Sequence, residues 1–168
     1  ARLSGQFEKA ITSAERIFNI LDIEPETDEF DQKNITVDKS ELKGNVEFEN
    51  VSFTYEGEDE EVLTDINVEV EPGETVGLVG PTGAGKTTFV NLIPRFYEVN
   101  KGSINLDGRP LKDYDLQWLR RQIGVVPQHP FLFYGTISEN IAYGIEDAQR
   151  EDIIKAAKMA NAHEFIMN

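Results

Sequence analysis

Cysteine is absent from the 168 residues. That excludes a disulfide framework, a thiolate zinc site and a cysteine nucleophile. Long apolar runs are absent too: no stretch approaches the roughly 18 residues that would mark a membrane-spanning helix. No secretion signal is legible at the N-terminus. Basic residues are scarce, with 16 Lys and Arg against 31 Asp and Glu, a net charge of −15. Residues 51–75 contain no Lys or Arg at all. A chain this acidic is poorly suited to sequence-independent binding of DNA or RNA, so no nucleic-acid partner is expected.

What is present suffices for a folded domain. Hydrophobic residues make up 39% of the chain, and its length can bury a core. The acidity is uneven. It lies mainly before residue 76, and residues 76–168 carry as many basic as acidic side chains. The run from Glu56 to Glu61 reads as a solvated acidic loop.

Hydrophobic spacing divides the chain. Leu3, Phe7, Ala10, Ala14, Ile17 and Leu21 recur at helical intervals, which predicts an amphipathic helix over 1–21. Residues 22–44 are polar and acidic and contain Pro25, as a linker would. From 45 onward the pattern is α/β. Val46 to Phe53 and Leu63 to Val70 alternate as half-buried strands. Thr75 to Val79 reads as a short buried strand, Ala84 to Phe96 as a helix and Ser103 to Leu106 as a strand before an Asp107-Gly108 turn. Leu116 to Ile123 reads as a helix and Gly124 to Pro127 as another strand. Thr136 and Glu139 form a capping-box signature, and a last helix is predicted from Ala148 to about Ile166.

The decisive motif is Gly80-Pro81-Thr82-Gly83-Ala84-Gly85-Lys86-Thr87, which fits GxxxxGK[ST]. It follows an expected strand and opens an expected helix, the context its mechanism requires. Glycines let the backbone turn tightly and approach phosphate oxygens. Successive N–H groups and the helix N-terminus then supply a local positive field. In this motif the lysine, here Lys86, reaches the β- and γ-phosphates, and the hydroxyl of the residue after it, Thr87, is a Mg²⁺ ligand. An acidic chain can bind a polyanion in this way, through backbone dipoles and one lysine.

Around this motif the sequence resembles the nucleotide-binding domain of ABC exporters whose membrane and ATPase domains share one polypeptide. The resemblance covers almost the whole chain. It rests on Tyr55 after Phe53-Thr54, on Val62 to Asn67 with Pro72 to Thr75, and on Gly102 to Gly108. It rests also on Leu119 to Gln128, which ends in the family's Q-loop glutamine, on Phe131 to Phe133, and on Gly135 to Gly144. Ser13 to Phe18 with Leu21-Asp22 resembles the segment that joins the last membrane helix to the ATPase domain. The resemblance implies a P-loop NTPase core with an antiparallel β front portion. It implies ATP and Mg²⁺ as ligands, with Tyr55 stacking on adenine. ATP contacts are then expected from Tyr55, Val62, Gly80, Pro81, Thr82, Gly83, Ala84, Gly85, Lys86, Thr87, Thr88 and Gln128, and Mg²⁺ contacts from Thr87 and Gln128.

Some residues mimic family features without matching them. Leu3-Ser4-Gly5-Gln6 resembles the signature sequence but precedes the phosphate loop. Asp107 lies too close to that loop to be the Walker B aspartate. His129 does not match the switch histidine, and His163 reads as a helix-surface residue. In the family, the signature, Walker B Asp, catalytic Glu and switch His all follow the stretch that reaches Asn168. The implied domains are therefore 1–21 as the end of a membrane-helix extension, 22–44 as linker and 45–168 as an incomplete ATP-binding domain. The implied partners are an upstream transmembrane domain of the same polypeptide and a second ATPase domain, at the cytoplasmic face of a membrane. The stretch by itself is expected to hydrolyse little ATP, because phosphoryl transfer depends on those later groups for positioning and charge stabilisation. Two alternatives stand beside this reading: a soluble ABC-type ATPase of DNA repair or chromosome maintenance, and a non-hydrolysing nucleotide-binding regulatory module.

Overall fold

A computed structural model describes residues 2–23, 35–145 and 147–167, with side chains described from Ile11 onward. The chain divides into two compact units, residues 1–124 and 125–168.

The first unit begins with α1 (Arg2–Leu21). Its apolar stripe is exposed at Ile11, Ile17, Phe18 and Leu21. The sheet of this unit comprises β1 (Val46–Phe53), β2 (Leu63–Val70), β3 (Lys101–Leu106) and β4 (Arg109–Pro110), in the order β2-β1-β3-β4. Every neighbouring pair is antiparallel. Phe48 on the central β1 lies opposite Val68 on β2 and Ile104 on β3.

The alternation along β1 does not run straight through. Phe48, Val51 and Phe53 are all buried although 48 and 51 differ in parity. A register shift between Phe48 and Val51 supplies the extra residue, and Asn50 there has φ 49°. A bulge resets which face the next side chains meet. On the partner strand only glycine fits: a side chain at Gly102, φ 78°, would run into the carbonyls of Glu49 and Asn50.

The core gathers Phe48, Val51, Phe53, Leu63, Leu92, Ile104, Leu106, Leu111, Tyr114 and Leu119. Burying each of the larger side chains is worth about 1.5–3 kcal/mol. Leu92 comes from α2 (Lys86–Leu92) and Leu119 from α3 (Leu116–Gln122). Phe89 of α2 stacks on Phe48 with ring centroids 4.2 Å apart. The sheet thus fixes the helix that carries Lys86.

α2 is shorter than the expected span of 84–96. It closes in a Schellman pattern, with Phe96 N–H donating to Asn91 C=O and Arg95 N–H to Leu92 C=O. Arg95 takes the left-handed position at φ 54°. Its guanidinium is buried and paired with Glu98 at 2.7 Å, while its carbonyl accepts from Arg120 of α3 at 2.8 Å. Pro94 has no N–H to continue the helix.

Two expected strands do not form. Residues 75–79 and 124–127 carry no ladder among the described residues, and Val79 and Val126 are almost wholly exposed. An unalternated apolar run suits a strand covered on both faces and paired on both edges, and none of the described residues pairs with them. The observed sheet is antiparallel throughout, so the parallel core of a P-loop fold is not formed by these residues. The expected linker also divides. Residues 24–34 lie outside the described residues, whereas Ile35, Val37 and Leu42 pack against the core. Ile35 pairs with Tyr114, and its carbonyl accepts from Asp115 N–H at 3.0 Å.

The second unit holds α4 (Ile137–Ile141), α5 (Arg150–Met159) and α6 (His163–Met167). α4 starts at the anticipated box: Thr136 Oγ1 accepts from Glu139 N–H, and the Glu139 carboxylate accepts from Thr136 N–H. The last helix expected from the sequence is in fact two helices. Asn161, at φ 55°, closes α5 through Ala162 N–H to Ala157 C=O and Asn161 N–H to Lys158 C=O. Asparagine tolerates that left-handed conformation better than most side chains. Among the described residues of the whole chain, no helix is long and apolar enough to cross a membrane.

Candidate phosphate-binding site

The loop 80–85 leads into α2, and Gly85 is the helix N-cap at φ 76°. A side chain there would collide with Leu63 Cδ2, 2.8 Å away, and crowd the Val62 carbonyl at 3.0 Å. Val62, expected among the nucleotide contacts, thus packs against the loop at Gly85. Gly83 is also left-handed, φ 87°, but open on its side-chain face, so its constraint is conformational. At Gly80 an added methyl group would lie 3.3 Å from Ala84 Cβ, so the loop closes tightly on itself there.

A glycine cap has a chemical consequence. Ser, Thr, Asp or Asn would place an oxygen over the first helical N–H groups. Gly85 supplies none, and no side chain caps α2. The N–H groups of Lys86, Thr87 and Thr88 have no acceptor one turn back in the helix. Phe89 N–H is the first to bond back, to Gly85 C=O at 2.8 Å. The helix start therefore keeps its donors for an acceptor from outside.

Lys86 Nζ donates to Gly80 C=O at 2.8 Å and Pro81 C=O at 2.6 Å. An ammonium has three donors. The loop carbonyls take two and hold the positive charge across the loop. Pro81, Thr82 and Ala84 are exposed, as is Thr87 in the first turn of α2. This arrangement can receive phosphate oxygens on N–H groups and an ammonium at once.

Thr88 differs from its neighbours. It is buried, and its Oγ1 lies 2.8 Å from the Tyr55 hydroxyl. Tyr55 is half-buried just beyond β1. Its ring meets Phe53 and Tyr97 edge to face, with centroids 4.8 and 5.1 Å away. The structure thus brings Tyr55, Val62 and the loop together in the first unit. Gln128 belongs to the second unit, exposed in a segment without regular structure.

Residues that the sequence did not single out also shape this region. Asn100 Oδ1 accepts from Thr54 N–H at 2.6 Å and fixes the chain just before Tyr55. Only the position of Asn100 ahead of a strand hinted at this. Asp107, set aside as a Walker B candidate, has a structural task. Its carboxylate accepts from the backbone N–H groups of Lys43, Gly44 and Asn45 at 2.8, 3.0 and 2.9 Å. Burial disfavours its charge, but the donors on Asn45, Lys43 and Gly44 outweigh that and hold its pKa below the ordinary value.

A family profile described as ABC transporter matches residues 63–168. The Bacillus subtilis protein YgaD, whose name describes a multidrug export ATP-binding/permease protein, is 49% identical over 98% of this chain and 28% of its own. An ATP-dependent lipid A-core flippase of Pseudomonas fluorescens is 47% identical over 99% of this chain and 27% of its own. ABC transporter B family member 26, chloroplastic, of Arabidopsis thaliana is 45% identical over 94% of this chain and 22% of its own. The chain thus spans less than a third of the length of these curated relatives.

Proposed function

This chain belongs to the ABC transporter family of ATP-binding domains, and from that premise we propose that it is the ATP-binding part of an exporter. In this reading, ATP binding and hydrolysis drive export of a substrate through a membrane domain of the same polypeptide, with this part at the cytoplasmic face. The observation that carries the proposal is the Lys86 ammonium held across a glycine-capped loop whose helix start lacks a side-chain cap.

The polyphosphate of ATP exchanges the Gly80 and Pro81 carbonyls for its own oxygens at Lys86. The loop and α2 N–H groups hold the remaining oxygens. Tyr55 receives the adenine ring, and a base stacked on an aromatic is worth about 1–3 kcal/mol. For Mg²⁺ the fit is partial: Thr87 presents an exposed side chain beside Lys86, whereas Gln128, the other expected contact, belongs to the second unit. A bound Mg²⁺ neutralises charge on the transferred phosphoryl group and fixes its geometry. A second ATPase domain closes over the nucleotide from the other side, and this closure moves the membrane domain.

The relatives support export as the coupled work, since one is named for multidrug export and another is a flippase. Lys86→Ala in the full-length protein tests the proposal. ATP binding and turnover are expected to be lost together. Unchanged ATP affinity and transport would overturn the assignment of the loop.

A further inference from the structure

We propose that Thr88 and Tyr97 are positioning residues that hold the ring of Tyr55 ready for the base. The proposal rests on the reading that this site binds ATP through Tyr55. It gives Thr88 a task different from the phosphate contact its place in the motif suggests.

Three contacts fix Tyr55. Its hydroxyl lies 2.8 Å from Thr88 Oγ1, and Thr88 is only 5% exposed. Phe53 and Tyr97 meet the ring nearly perpendicularly, at 85° and 89°. Tyr97 in turn leans on Phe53 at 5.6 Å, so the three rings form one cluster. Just before the ring, Thr54 N–H is pinned to Asn100 Oδ1 at 2.6 Å.

These partners come from different parts of the first unit. Phe53 ends β1, Thr88 lies in the first turn of α2, and Tyr97 follows the Schellman turn that closes α2. Thr88 stands two residues after Lys86. The hydroxyl bond therefore ties the base-facing ring to the helix that carries the phosphate-binding lysine. A ring already held in place pays less conformational entropy when a base stacks on it. Losing the bond frees the ring without touching the phosphate groups, so the loss falls on ligands that carry a base.

The experiment compares ATP with inorganic tripolyphosphate, which offers phosphates and no base, on the full-length protein. Tyr55→Phe and Thr88→Val are each expected to weaken ATP binding about three- to tenfold, the range for one hydrogen bond. The double variant should be no weaker than either single one, because both remove the same bond. Tyr97→Ala should also weaken ATP. Tripolyphosphate affinity should stay at the wild-type value in all of them, and Thr88→Ser, which keeps the hydroxyl, should restore ATP affinity. Equal loss of ATP and tripolyphosphate in Thr88→Val would overturn the proposal, since Thr88 would then act on phosphate. Additive losses in the double variant, or unchanged ATP affinity, would overturn it as well. Lys86→Ala separates the two claims: if it spares both ligands, the function reading fails, whereas loss of both alongside a silent Thr88→Val defeats only the positioning role.

Discussion

The two units of this chain hold their shape by different means. In residues 1–124, strands far apart in sequence pair around Phe48, Val51 and Leu119, all 2% exposed or less. In residues 125–168, Ala157 is the one buried hydrophobic residue among those described. There the order comes from local devices: the Thr136–Glu139 box, the Asn161 turn, and Asn140 bonding the backbone of Phe133 on both sides. Phe131, Leu132, Tyr134, Ile145 and Phe165 stay exposed. The phosphate loop belongs to the unit with the core. A lysine can be aimed only by a helix that is itself held, and the stack of Phe89 on Phe48 holds α2.

The largest effect expected follows from that contrast. Phe48→Ala leaves a cavity between the sheet and α2, and such truncations cost about 3–5 kcal/mol. The chain's single tryptophan, Trp118, sits on α3 of the first unit and stacks on Tyr114. Urea unfolding followed by its fluorescence should show the full loss for Phe48→Ala. Phe131→Ala, at an exposed ring, should shift the same signal by less than about 0.5 kcal/mol. Equal shifts would mean that the contrast between the units is not one of packing.

Much of the first unit was legible in the sequence because its signals are local in form. The alternation of Val46 to Phe53, the Asp107-Gly108 turn and the glycine spacing of the loop each name their element. The bulge at Asn50 was not legible, since it depends on Gly102 meeting it across the sheet. Nor was the end of α2, where the helical pattern of apolar residues continues past a turn set by Pro94 and Arg95. The runs at 75–79 and 124–127 have the right composition for buried strands, but a strand exists only through its partners. At the site, the lysine and glycines were readable from spacing. The Tyr55–Thr88 bond was not, because it joins residues 33 apart.

An intermediate effect is expected at Asp107, which ties the segment before β1 to the β3–β4 turn. Its folded pKa is depressed below 3.8, the ordinary value. A depressed carboxylate adds stability above its unfolded pKa and loses it as pH falls through the folded one. Wild-type stability should therefore drop as pH falls below about 4. Asp107→Asn keeps one acceptor oxygen but puts an NH₂ in place of the other, against an N–H group that needs an acceptor. It should cost about 1–3 kcal/mol at pH 7 and flatten the acid loss. Unfolding midpoints of both proteins from pH 7 down to 3 check this. An acid loss of the same depth in Asp107→Asn would place its source in other carboxylates.

The smallest effect is expected in the second unit, and it probes how much that unit owes to local bonds. Thr136→Ala removes the oxygen that receives Glu139 N–H at 3.1 Å. Loss of such a cap costs about 1 kcal/mol. With little buried beneath it, α4 should feel nearly all of that as local opening, while the first unit should feel none. Amide exchange should therefore quicken about fivefold at Asn140 and Ile141 and stay unchanged at Phe48 and Ile104. The Glu139 carboxylate also loses a partner. The Thr136 N–H and hydroxyl now hold its pKa below the ordinary value. With the hydroxyl gone the N–H remains, so the carboxylate should titrate slightly higher yet still below a free glutamate. Exchange that quickens in both units together would show that the second unit is held by the first, and that the local bonds of α4 are not its main support.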